Sequence, residues 1–406
     1  MLDQESPDHR ELPTPTPAYG DPAAPASTPP GESTVARRAT WFELFGDLVF
    51  VAAVGQITHR VGAHPGAGSV AAAAGLFVPL WWAWVLYAVH ANRADRDTVA
   101  HRLLTGVGLT GVVGMAVFAG GVGQSRGVDA GFVLSYLGAR TGVAALYAWD
   151  SRRDPGLIPV FRSFTVGSVA SAIFWLGGLA CDGGWRYGAW AVAMLMELAL
   201  PLVAGRRLRR VTQETEHLRE RFGLFTIIVL GESVLGFTNG LAAAHTAGWA
   251  ALTAAAAFAL TVGLWWSYFN GSGVRPGSHT ELARPGKLLH AFTFGHLPML
   301  LGLALTGASM GIAVTEGGAH LNATAGACIV GGVIVYLVSV ALVRAAFTGI
   351  REAVVVIRLL TAVLAAALLP VATRIPVAGL LTALAVLVIG SVVVETPAQR
   401  RRAAAA

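Results

Sequence analysis

The sequence predicts an all-α, polytopic membrane protein of about twelve transmembrane helices, arranged as two parallel six-helix repeats. Three observations lead there. The 406 residues are 54% hydrophobic and 13% charged, about half the charged share of a soluble domain, and the mean hydropathy is +0.61. The apolar residues come in blocks of about 20, the length of an α-helix crossing a bilayer. The arginines cluster in alternate connections between those blocks, which is the bias that orients membrane helices.

The elements follow in order. Residues 1–36, with the stretch LPTPTPAYGDPAAPASTPPGES, contain no apolar core and no signal-peptide pattern, and read as a disordered, Pro-rich tail. Helices are expected over 41–61, 70–91, 103–124, 131–149, 158–180 and 185–204, within a first repeat spanning 37–205. A basic linker covers 206–220. Helices over 222–243, 247–269, 288–314, 321–345, 352–371 and 376–395 make the second repeat, 221–396, and a basic tail closes the chain at 397–406. With the N-terminus in the cytoplasm, the outward connections hold only Arg60, Arg126, Arg186 and Arg374, so both termini are expected inside. The net charge of +6 is absorbed by these loops, and the expected partner is lipid rather than nucleic acid. Cys181 and Cys328 have no CxxC or Cys/His company and read as packing residues.

The repeat shows when the chain is displaced by 180 positions. WFELFGDLVFVAAV then lies over RFGLFTIIVLGESV, with Phe42/Phe222, Leu44/Leu224, Phe45/Phe225, Val49/Val229 and Val54/Val234 identical. Slightly further on, Trp81-Trp82 falls over Trp265-Trp266. Six helices return the chain to its starting side, so the repeats would be parallel, with any shared cavity between them.

Ionisable groups inside a bilayer carry the functional information, because one at a helix centre costs about 2.5–3.5 kcal/mol on insertion scales. Glu43 and Asp47 are four apart on one face of the first helix, and two carboxylates so close in a low dielectric resist ionising together. They mark either a proton or cation site or an acid pair held by Arg37, Arg38 or an arginine of a neighbouring helix. Glu232 lies about 16 Å beyond Arg221 along the seventh helix, near the bilayer midplane, with Asn239 on its face. Arg140 sits midway along the fourth helix and is expected to pair with Glu232, Asp47 or Glu197. Glu197 and Arg358 read as interfacial, the latter snorkelling toward the cytoplasm. His296 precedes Pro298 and reads as a hydrogen-bonded packing residue or a wettable kink. Trp81, Trp82, Trp84, Trp265, Trp266 and Tyr268 are expected as interface anchors.

Enzyme readings find little support, since there is no GxSxG, HExxH or Walker loop. The Asn92–Asp97 loop has an acidic character that a diphosphate-binding site uses, but the equivalent second loop offers only Glu281. No catalytic residue, metal or cofactor is expected.

Two segments resemble the bacterial low temperature requirement protein A (LtrA) family. Phe42-Glu43-Leu44-Phe45-Gly46-Asp47-Leu48-Val49-Phe50 is similar to its ELFFDLVF-type opening. Glu220-Arg221-Phe222-Gly223-Leu224-Phe225, with Leu230-Gly231-Glu232-Ser233, is similar to its ERxGLF…LGES segment. Ala91-Asn92-Arg93-Ala94-Asp95 and His296-Leu297-Pro298 also resemble family patterns, and the likeness spans about 37–396. Gly46 departs from it, standing where the family has an aromatic residue. The resemblance implies a multi-helix bacterial inner-membrane protein connected by its name with growth in the cold, and implies no defined activity. The functional expectation is a proton-coupled transporter or permease of a small solute or ion, with Glu232, Asp47 and Arg140 as one protonatable network. The alternatives are an ion channel, or a non-transporting lipid-modifying enzyme or scaffold whose buried charges are structural.

Overall fold

The computed structural model describes residues 40–93, 98–208, 215–244, 247–271, 285–316 and 320–405. The expected tail 1–36, the loop 94–97, the candidate partners Arg37 and Arg38, residues 209–214 of the linker and Glu281 lie outside the described residues. Twelve α-helices appear, with no strand among the described residues: α1 (Trp41–Ala63), α2 (Ala67–Arg93), α3 (Val99–Ala119), α4 (Arg126–Ser151), α5 (Ile158–Ala180), α6 (Gly184–Leu208), α7 (Thr215–Ala243), α8 (Ala247–Gly271), α9 (Pro285–Glu316), α10 (Ala323–Thr348), α11 (Ala353–Ala366) and α12 (Val377–Ala405).

Local chemistry sets several boundaries. Thr40 caps α1 through a reciprocal pair with Glu43: the Glu43 amide donates to the Thr40 hydroxyl and the Thr40 amide to the Glu43 carboxylate, satisfying two orphan donors of the first turn. Thr98, Ser125, Asn322 and Glu352 accept in the same way at α3, α4, α10 and α11. The eleventh helix stops at Ala366, short of the expected 371, because Pro370 lacks an amide proton and its ring opposes the carbonyl four residues back; residues 369–371 form a 3-10 turn instead. At the other end the chain stays helical to Ala405, so the backbone of the expected basic tail continues α12.

Ten of the helices are long and apolar enough to cross a membrane among the described residues. The other two, α4 and α6, carry the mid-helix charges Arg140 and Glu197. Outward faces are apolar, as with Val107 and Val117 on α3, Val166 and Ile173 on α5, Phe258 on α8 and Val386 on α12. Lipid tails give no hydrophobic drive between helices, so close contact is made by small residues. On α7, a Cβ at Gly236 would come within 2.7 Å of the Gly307 carbonyl oxygen, and one at Gly240 within 2.5 Å of that of Gly311, both on α9. Gly302 and Gly332 do the same for α9 and α10.

Several neighbour relations of the first six helices recur in the last six, although α2 packs on α4 without comparable packing of α8 on α10 among the described residues. Helix α1 packs on α3 as α7 packs on α9, and α3 on α4 as α9 on α10. Likewise α4, α5 and α6 contact in sequence as α10, α11 and α12 do. Across the middle of the chain, α1 and α2 meet α7 and α9, and the two motif-bearing segments come together there.

Candidate functional site

The site begins with two spacings. Glu43 and Asp47 stand one turn apart on α1, and His217 and Arg221 stand one turn apart on α7, so two antagonistic pairs face each other. Arg221 donates to Asp47 Oδ1 at 2.5 Å and lies 3.7 Å from Glu43; His217 Nε2 is 3.3 Å from the same Glu43 oxygen. From α2, the Trp84 indole donates to Asp47 Oδ1 at 2.8 Å, and Asn92 Oδ1 meets His217 Nδ1 at 3.2 Å. Asp47, His217 and Arg221 are buried.

Aromatic rings line one side of this cluster. Trp84 stacks on Phe225 with ring centroids 4.2 Å apart and meets Phe222 edge-on at 4.8 Å. Phe222 in turn touches the His296 ring at 4.7 Å, and His296 is bonded to the Tyr268 hydroxyl at 3.0 Å and to the Phe292 carbonyl at 2.7 Å. Glu43, Asp47, Asn92, Arg221, Phe222, Phe225 and His296, all from the segments singled out in the sequence, thus belong to one connected core. A carboxylate in such surroundings needs a hydrogen-bonded cation to remain charged.

The expected network of Glu232, Asp47 and Arg140 does not form. Arg140 pairs instead with Glu197 of α6, the third of its candidate partners, inside the first six helices. Tyr136 also donates to Glu197, Trp175 donates to it at 3.2 Å, and Arg140 donates to Ser168 at 2.6 Å. Glu197 is therefore a core residue rather than an interfacial one. Arg358 likewise does not snorkel. It is fully buried, donates twice to Glu395 of α12 at 2.9 Å, and reaches the Ser267 carbonyl at 2.8 Å. Trp81, Trp82, Trp84 and Tyr268 are buried too, while Trp265 and Trp266 are exposed as interface residues would be. Burial of the first three has a cause in Trp84's bond to Asp47 and in the contacts of Trp81 and Trp82 with Phe294. Gly46, the family departure, faces Leu109 of α3 at ordinary contact distance.

Glu232 stands apart from these pairs. It is half-buried, and a Cβ on Gly55 of α1 would lie 2.8 Å from its Oε2. The bare glycine backbone makes the space its carboxylate occupies, in the seam between α1 and α7. Asp47, Glu197 and Glu395 each meet a guanidinium; Glu232 makes no hydrogen bond or ion pair with the described residues. Asn239, two turns on, is exposed on the outer surface, beyond hydrogen-bonding company with Glu232.

Sequence reasoning missed Arg221, His217, Trp84 and Glu395 as partners. The matched four-residue spacings of 43/47 and 217/221 are the signal that points to the first two.

Comparison with known proteins follows the same residues. The family described as bacterial low temperature requirement A protein (LtrA) matches residues 38–393. A curated relative, "Uncharacterized protein RA0937" of Rhizobium meliloti (strain 1021), is 29% identical over 285 residues, covering 68% of this chain and 69% of its own.

Proposed function

Since this chain belongs to the bacterial low temperature requirement A (LtrA) family, we propose that this member is a proton-coupled transporter of a small solute or ion in a bacterial inner membrane, built as two parallel six-helix halves with both termini in the cytoplasm. The recurring neighbour relations of α1–α6 and α7–α12 support the two halves. In this reading the cluster of Glu43, Asp47, His217 and Arg221 ties the halves at one end of the α1–α7 seam, and Glu232 exchanges a proton further along it. No catalytic chemistry is assigned to the chain.

The observation that carries the reading is Glu232, a span carboxylate with no neutralising cation among the described residues, set against Gly55. An intramembrane acid without a partner must be solvated or protonated, and changing between those states changes how closely α1 and α7 approach. Asp47, Glu197 and Glu395 are each paired with an arginine, which favours a second reading, a non-transporting membrane protein in which these charges only fix the fold.

The test is proton movement in liposomes carrying the full chain and an internal pH-sensitive dye, under an imposed pH gradient. The expected result is dissipation faster than in protein-free liposomes, lost in Glu232→Gln. Equal rates for the variant and the unaltered chain, or no movement above protein-free liposomes, would overturn the proposal in favour of the structural reading.

A further inference from the structure

Away from the α1–α7 seam, three helix ends converge on a second set of chemically competent side chains. His90 lies in the last turn of α2, His101 in the first turn of α3 and Asp150 in the last turn of α4. One ligand atom from each falls within 4.8 Å of the others. His90 Nε2 is 3.0 Å from Asp150 Oδ2, and the two residues are 1% and 2% exposed. The other carboxylate oxygen, Asp150 Oδ1, is buried without a hydrogen-bond partner, which a purely structural His–Asp pair does not explain.

We infer that His90, His101 and Asp150 form a binding site for a divalent transition-metal cation of the Zn²⁺ class, opening beside α3. Two imidazoles and one carboxylate are the donor set such cations take, leaving a fourth position for water. Ligands about 2.0–2.1 Å from a tetrahedral centre stand about 3.3 Å from one another. The His90–Asp150 spacing of 3.0 Å is close to this, and a side-chain shift of His101, half-buried at the start of α3, would close the remainder. The His90 ring is held by Tyr147, edge-on at 4.6 Å, and lies nearly parallel to that of His101 at 5.4 Å. Arg93, one turn along α2, is directed to the Tyr147 hydroxyl at 3.5 Å. The carboxyl ends of α2 and α4 both point here, and their partial negative charge favours a cation. The three residues are scattered over sixty positions, and no short motif announces them.

The experiment uses the full chain, purified without a polyhistidine tag, stripped with chelator and then exposed to Zn²⁺ and, in parallel, Co²⁺. The site retains one Zn²⁺ per chain after desalting, gives Co²⁺ visible bands of a four-coordinate centre, and raises the thermal midpoint with added Zn²⁺. His101→Gln lowers retention roughly ten-fold or more and abolishes the midpoint shift. Asp150→Asn, which preserves side-chain shape, does the same and serves if the first variant misfolds. Equal retention by the unaltered chain and either folded variant, or no retention by the unaltered chain, overturns the inference.

Discussion

Arg221 of α7 donates to Asp47 of α1 at 2.5 Å, although the two are 174 positions apart in sequence. Each comes from a segment that resembles a family motif, so the resemblance has a physical meaning: the two motifs are the two sides of one buried contact. Burying either charge alone is expensive, and here each buried charge meets the other.

Arg221→Met therefore leaves Asp47 charged and uncompensated, and costs about 3–5 kcal/mol. The double variant Asp47→Leu/Arg221→Met recovers most of that loss. Unfolding in mixed micelles measures both, and the coupling between the sites is expected to be at least as large as the loss that the double variant recovers.

Arg140 belongs to a different cluster. Arg140→Met combined with Asp47→Leu is expected to be additive within about 0.5 kcal/mol, whereas Arg140→Met combined with Glu197→Leu is strongly coupled. A large coupling between Arg140 and Asp47 in the same unfolding assay would contradict the separation of the two clusters.

Gly55 tests the seam. A Cβ there lies 2.8 Å from Glu232 Oε2, and the flexible carboxylate must move. Gly55→Val is expected to reduce proton movement toward that of protein-free liposomes while helicity, read by circular dichroism, is unchanged. Gly55→Ala gives an intermediate rate.

Gly236 tests the packing of α7 on α9. Its added Cβ would lie 2.7 Å from the Gly307 carbonyl oxygen, and backbone does not yield as a side-chain tip does. Gly236→Val is expected to destabilise by about 1–3 kcal/mol, seen as a lowered thermal midpoint.

The twelve helices are legible in the sequence because apolar runs and arginine-bearing loops alternate along it. Pairing is less legible. Arg140 has three candidate carboxylates, and only the packing of α4 against α5 and of α5 against α6 decides for Glu197. Arg358 looks free to reach the surface until Glu395, a residue near the end of an apolar run, is seen to face it. Trp84 resembles an interface anchor in a linear reading, since nothing local shows that Asp47 waits for its indole proton. Helical spacing reports which residues share a face, and it does not report which helix that face meets.

The opposed pairs on α1 and α7 have a mechanical consequence. Shifting α7 along α1 by one turn, about 5.4 Å, would carry Arg221 beside Glu43 or past Asp47, stripping one acid of its guanidinium in a water-poor place. Axial sliding is thus blocked by two teeth set at the same pitch, whereas tilting about them leaves both engaged. A transport cycle of the kind proposed would move these helices by a pivot about this lock, with its widest swing at the end farthest from it.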